Sequence, residues 1–475
     1  MKLGEELKKY RESKTGRFHM PGHKGRSSCL EDVFVLGNDV TEVEGLDNLH
    51  NPTGVIKDLL EEISTVYGSR KSFISTNGST TSLQSAILGV TVPGDSILVS
   101  RNCHKSVFNA IILGDLNPVY LTPEYEVESG LSWINDLNSL EEAIKSDDKI
   151  TAVVLTYPTY FGICCHMERI AEIVHKYNRT LIVDEAHGSH LRFCHDLPKS
   201  ALDAGADIVI QSTHKTLPSL TQSSLLHVKN EKHVDRIESI MSMLLTSSPS
   251  YLIMASIEAS IDMMEKEGND RLKKNMAYVE KMAVKYPNAG KIFKSKDYFM
   301  ERGVNDFDNT RLLFRTSDIA IKGGVAESIL RKEYNIQVEM ADLNYVNAFM
   351  TACDEIEDIE RLFKAVDDMA VKYGREVENV EALKEAETSE YLTAKCPESV
   401  INIRKAFYSD KLCVDIKEAE GKISGSYIIP YPPGIPLLCP GERITNKMVE
   451  KILEIRESNI EVIGLDKGKI KIINI

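Results

Sequence analysis

No apolar run in this 475-residue chain approaches the length of a membrane span. The amino-terminal decapeptide, Met1-Lys-Leu-Gly-Glu-Glu-Leu-Lys-Lys-Tyr10, mixes both charge signs and lacks the apolar centre of a signal peptide. Positive charge in excess is missing too. The formal net charge of −14 argues against nucleic acid or an acidic membrane as partner and is compatible with a small cationic substrate. The nine cysteines include no Cys-x-x-Cys pair, and the adjacent Cys164-Cys165 is poor geometry for zinc or a disulfide. They read as reduced thiols, and these absences together predict a cytoplasmic protein. Internal repeats and low-complexity tracts are also lacking.

What remains is a chain long enough for two or three cores, with an ordinary hydrophobic content of 42%. Residues 1–50 read as an arm: a helix from Leu3 to Ser13, then Phe18-His-Met-Pro-Gly-His-Lys-Gly25, whose proline and glycines exclude regular structure. Residues 51–290 read as a large domain. It opens with a helix over Val55 to Tyr67 and offers strands at Ser72–Ser75, Ser96–Val99, Pro118–Leu121, Ala152–Leu155, Leu181–Val183, Ile208–Ile210 and Ser224–Val228. Helical patterns fall between many of them, which predicts an α/β protein with a mostly parallel, doubly wound sheet that binds ligands at the carboxyl ends of its strands. A long helical segment, Tyr251 to about Lys285, bridges to a smaller α/β region over residues 291–475, in which charge-rich Tyr373–Lys395 reads as a surface helix.

The strand Ile208–Ile210 runs into Ser212-Thr-His-Lys215. A lysine at the end of a buried strand loses hydration, and its lowered pKa lets the neutral amine attack an aldehyde; pyridoxal phosphate is the aldehyde cofactor that uses such a lysine. A solvated loop lysine would look the same, so the other strand ends matter. Asn77-Gly78-Ser79-Thr80 precedes a helix and offers backbone N–H groups and hydroxyls to a phosphate, though an ordinary helix cap fits it too. His104 follows the next strand, where an imidazole can stack on a planar ring or serve as a structural hydrogen-bonding residue. Asp184 ends another, where a carboxylate would keep a pyridine nitrogen protonated; a helix cap and a metal ligand are its alternatives. Metal catalysis is not expected, because Asp184, Glu185, His187, His190 and His195 form no His-Glu-x-x-His motif. One ligand, pyridoxal phosphate, accounts for phosphate cradle, stacking histidine, ring-nitrogen aspartate and lysine together.

These residues resemble the Orn/Lys/Arg decarboxylase family of pyridoxal phosphate enzymes, with the aspartate-aminotransferase type of fold (fold type I). The matching stretches are Phe18–Gly25, Asp39–Asp47, Asn77–Thr80, Arg101–Ser106, Pro158–Gly162, Val183–Gly188, Gln211–Thr216, Leu220–Ser224 and the Tyr431-Pro-Pro-Gly-Ile-Pro436 turn, followed by Pro440-Gly-Glu442. The resemblance implies that Lys215 forms the Schiff base, Asp184 pairs with the pyridine nitrogen and His104 stacks on the ring. It implies that Gly78, Ser79, Thr80, Ser212 and His214 surround the phosphate, with His187 near the ring's phenolic oxygen. It further implies a homodimer or higher homo-oligomer with sites between subunits, Phe18–Gly25 and Asp39–Asp47 being the segments that would reach across. Nothing before Phe18 could form the amino-terminal wing domain of the large bacterial members, which bears on their higher-order rings and not on the dimer.

The expected reaction is decarboxylation of lysine, arginine or ornithine to a diamine or agmatine, in polyamine metabolism, with Lys215 or His214 returning a proton to Cα. Glu339 and Asp342 are the candidates to meet the substrate's distal cation, against a reading as solvated surface acids. The competing activity on this fold is an aminotransferase, which clamps the α-carboxylate with an arginine; Arg311 and Arg315 are available for that role.

Overall fold

The computed structural model describes residues 2–26, 28–374, 396–431, 434–457 and 460–474. All seven expected strands form one sheet, ordered Lys71–Ser75, Ser224–Val228, Ile208–Gln211, Thr180–Asp184, Ile150–Thr156, Ser96–Ser100, Asn117–Leu121. The last five are parallel, and only Ser224–Val228 runs antiparallel to its neighbours. Apolar runs without polar alternation belong in such a sheet, because helices cover both of its faces. Period-two geometry divides each run. Leu98, Val153, Leu155, Leu181, Val183 and Val209 enter one core, and Ile97, Val99, Ala152, Val154, Ile182, Ile208 and Ile210 enter the other.

The helices that flank the site start where strand ends release them. Gly78–Val90 begins three residues before its apolar pattern does, because Gly78 adopts φ +77° and turns the chain out of Lys71–Ser75. The expected bridge is a continuous helical passage with a wide turn, Met264–Gly268, between Tyr251–Met263 and Asn269–Lys285.

A second, antiparallel sheet joins Phe293–Lys294, Arg311–Arg315, Tyr345–Phe349 and Met340–Ala341. Its core is continuous with the main one, a single cluster reaching from Phe18 to Met369. Residues 416–472 hold a separate core. Of the charge-rich segment, Tyr373 ends the Ile356–Tyr373 helix, and residues 375–395 lie outside the described residues. No helix among the described residues is long and apolar enough to cross a membrane.

The arm differs from expectation. Gly16–Phe18 is a strand, pairing in parallel with Ile336–Val338 of the same chain, and Phe18 is fully buried. Gly22 N–H then donates to the His214 carbonyl at 2.8 Å, and Lys24 is buried, donating to the Phe349 carbonyl at 2.8 Å. Phe18–Gly25 therefore packs against its own chain. The physical reason is the unpaired edge of Ile336–Val338, which the arm covers.

Candidate active site

The carboxyl edge of the main sheet opens on a cavity of about 1010 Å³, walled by the arm, both sheets and the carboxyl-terminal unit. Ile208–Gln211 passes into a one-turn helix, Thr213–Thr216, that turns His214 and Lys215 into this cavity. Lys215 Nζ lies 3.0 Å from His187 Nε2. Burial pushes the amine below the usual lysine range, opposed by the charges of Asp184 and Glu339. Asp184 is buried at its strand tip, and its Oδ1 accepts from Ala186 N–H at 3.2 Å. The other oxygen has no hydrogen-bond donor among the described residues. Burial raises this carboxyl, with Lys215 opposing.

His104 caps the Lys105–Gly114 helix, its Nδ1 accepting from Ser106 N–H at 3.3 Å and lying 2.8 Å from the Ser106 hydroxyl. Burial, reinforced by Lys215 and Lys105, takes His104 down to about 3. Burial takes His214 to about 4 and His187 well below the usual histidine range. All three rings are therefore neutral near pH 7. His214 Nδ1 is 2.9 Å from the Ser223 carbonyl, which only a protonated Nδ1 can satisfy, so its Nε2 carries no proton. His187 Nδ1 is buried and meets no hydrogen-bond partner among the described residues.

Gly78, Ser79 and Thr80 line the cavity at a helix start, where Gly78 N–H is taken by the Gln222 carbonyl and the next N–H groups have no intrahelical acceptor. Ser79 Oγ lies 2.5 Å from Ser212 Oγ. Ser212 is fully buried and stands behind the wall as support for Ser79. Glu339 and Asp342 both line the cavity. Glu339 accepts from the Tyr160 hydroxyl at 2.6 Å and from Met20 N–H at 2.8 Å, while Asp342 accepts from the N–H groups of Asn344 and Tyr345.

Residue patterns alone did not assign roles to Met20, Tyr160, Arg101 or the turn at Gly434–Leu437. Tyr160 stands edge-on to His187, ring centroids 4.7 Å apart, and its signal was the otherwise unexplained Pro158–Gly162 stretch. The two arginines considered as carboxylate clamps are elsewhere. Arg311 is fully buried, donating to the His187 carbonyl at 2.6 Å and facing Asp308, with its guanidinium 3.9 Å from the Phe349 ring centre. Arg315 lies 3.5 Å from Asp318. Neither lines the cavity.

A family model described as the Orn/Lys/Arg decarboxylase major domain matches residues 2–294, and its C-terminal domain matches 387–467. The chain belongs to the Orn/Lys/Arg decarboxylase family. It is 30% identical to an arginine decarboxylase of Bacillus subtilis over 478 residues, 99% of this chain and 96% of that one. It is 25% identical to the constitutive lysine decarboxylase of Escherichia coli over 533 residues, 90% of this chain and 73% of that one. The solved lysine decarboxylase of Francisella novicida covers 92% of this chain, which covers 74% of it, with a TM-score of 0.77 at 21% identity. The fold is thus that of fold type I pyridoxal phosphate enzymes, and this Orn/Lys/Arg decarboxylase family member is an amino acid decarboxylase.

The family implies pyridoxal phosphate, and the residues present fit it. A partly dehydrated amine, a buried carboxylate with an oxygen free for a cationic N–H, a neutral imidazole at the cavity wall and unpaired N–H groups beside two hydroxyls match the cofactor's aldehyde, pyridinium, ring face and phosphate.

Proposed function

We propose that this decarboxylase acts on a basic amino acid, with arginine preferred over lysine and ornithine, and forms agmatine, a polyamine precursor. The preference rests on the relatives: the arginine enzyme aligns along nearly its whole length at the higher identity. The observation that carries the reaction type is the Lys215–His187 pair beside Asp184 in a cavity whose wall holds the acids Glu339 and Asp342. In this reading Lys215 holds the aldehyde carbon, Ser79, Thr80 and the helix start hold the phosphate, and His104 packs on the ring. Asp184 keeps a proton on the pyridine nitrogen. When bound, pyridoxal phosphate supplies the sink for the electron pair left on Cα as CO2 departs. Lys215 returns the proton to Cα, because His214 has no proton on its Nε2 to give. Glu339 meets the distal cation while fixed by Tyr160 and Met20; Asp342 is the weaker candidate, since Lys451 already lies close enough to oppose the burial shift of its carboxyl.

Transamination is disfavoured by the arginines. Arg101 lines the cavity but is committed to Glu442 and two backbone carbonyls, and Arg311 and Arg315 are not in the wall. A clamp on the α-carboxylate would also hold the group that must leave as neutral CO2. The test is CO2 release from arginine, lysine and ornithine with pyridoxal phosphate and no keto acid. Release from arginine above the other two is expected; strict dependence on a keto-acid acceptor would turn the reading over to transamination.

We further propose that the protein works as a homodimer through residues 31–46. Phe34, Val35, Leu36 and Val43 in this segment are exposed apolar side chains, with Leu36 89% exposed.

A further inference from the structure

Arg101 follows the Ser96–Ser100 strand and lies three residues before His104. Its side chain is 10% exposed, and among the described residues every hydrogen-bond acceptor of its guanidinium belongs to the carboxyl-terminal unit. Nη1 donates to the Pro436 carbonyl at 2.6 Å, and Nη2 donates to the Leu437 carbonyl at 3.3 Å and to Glu442 Oε2 at 3.0 Å. Glu442, more deeply buried at 2% exposure, also accepts from Cys439 N–H at 2.6 Å. The guanidinium is 5.4 Å from the Phe108 ring centre and 5.6 Å from that of Tyr120. One large-domain cation thus holds the two ends of the stretch from Pro436 to Glu442.

The stretch just before it lies on His104. Gly434 takes φ +89°, and a Cβ there would come within 3.0 Å of both Cδ2 and Nε2 of the His104 ring. Lys105 N–H donates to the Gly434 carbonyl at 3.2 Å. Since Nδ1 is engaged by Ser106, Nε2 is the nitrogen of His104 left to react with a reagent, and it is the nitrogen Gly434 covers. A buried ion pair stabilises a fold weakly against an apolar pair of the same shape.

We propose that Arg101 and Glu442 form a buried latch that seals the carboxyl-terminal turn over His104, and so closes one side of the cofactor cavity. Both are positioning residues acting through Gly434 and His104. The inference rests on the proposed role of His104 beside the cofactor, but its geometry can fail or stand whatever the substrate is.

The test is the rate at which diethyl pyrocarbonate modifies His104 in the protein loaded with pyridoxal phosphate, read by peptide mass spectrometry, in the parent and in Glu442→Gln. His227, fully buried in the same large domain, is the internal control. The latch predicts that His104 reacts about tenfold faster in Glu442→Gln while His227 stays protected, because only local opening exposes His104. Faster release of the cofactor should accompany it. Equal protection of His104 in both proteins overturns the proposal, as does a joint rise of His104 and His227, which marks general loosening. If Glu442→Gln does not fold, amide exchange in the parent decides: Lys105 and Cys439 N–H should open together, and independent exchange of the two rejects the latch.

Discussion

A lysine works as a nucleophile only in its neutral form, so the environment of Lys215 matters more than its identity. The cavity removes water from the amine and sets a neutral histidine against it. Borohydride should fix pyridoxal phosphate to the peptide carrying Lys215, and Lys215→Ala should lose both that adduct and at least about a thousandfold in turnover. An adduct on the same peptide in Lys215→Ala would reject the assignment. Arg311 makes the complementary case, a fully buried charge outside the cavity wall. Asp308 is held ionised by His190 and Arg311 against burial. Arg311→Met should therefore cost about 3–5 kcal/mol in urea unfolding. Turnover of the folded Arg311→Met and Arg315→Met proteins should stay within about tenfold of the parent, or about 1.4 kcal/mol of barrier. A collapse of turnover in folded Arg315→Met would restore the carboxylate clamp.

At the scale of elements, Asp47 shows how a family-like stretch can carry structure. The helix Val55–Tyr67 has Gly54 as its cap, without a side chain to satisfy the first N–H groups. Asp47 supplies the missing acceptors from outside, taking N–H donors from Asn48, Thr53, Gly54, Ile56 and Lys57. Partial burial works to raise its carboxyl, but these donors outweigh burial and hold it far below the usual range. The unfolded chain then takes up a proton at higher pH than the folded one, so the stabilisation is complete above the unfolded value near 3.8 and fades as pH falls below it. Asp47→Ala should lower stability by about 1–2 kcal/mol at neutral pH. Thermal melts of both proteins check this, and the gap between them should narrow in acid.

At the scale of the whole molecule, the cavity is a junction. The strand ends of the main sheet contribute Lys215, Asp184, His187 and His104, the bend before Met340–Ala341 Glu339, the arm Met20 and the carboxyl-terminal unit Gly434 to Leu437. The 31–46 segment, exposed in one chain, predicts self-association. Sedimentation across dilution should find a dimer, and Leu36→Asp should weaken it measurably. A monomer fully active at every dilution would reject that interface.

The seven strands, their order of appearance and the polar residue at each carboxyl end were legible in the sequence, because a buried parallel strand is an uninterrupted apolar run and its end is where polarity begins. Lys215, Asp184, His104 and the Gly78–Thr80 turn follow from that rule. The arm was not legible in this way: where Gly16–Phe18 docks depends on the free edge of Ile336–Val338, more than three hundred residues away. The same distance separates Arg101 from Glu442 and Met20 from Glu339. Local pattern dictates what a segment is, through propensity and periodicity. Which segments meet depends on complementary edges and buried charges that must find partners, and those are properties of the assembled tertiary structure alone.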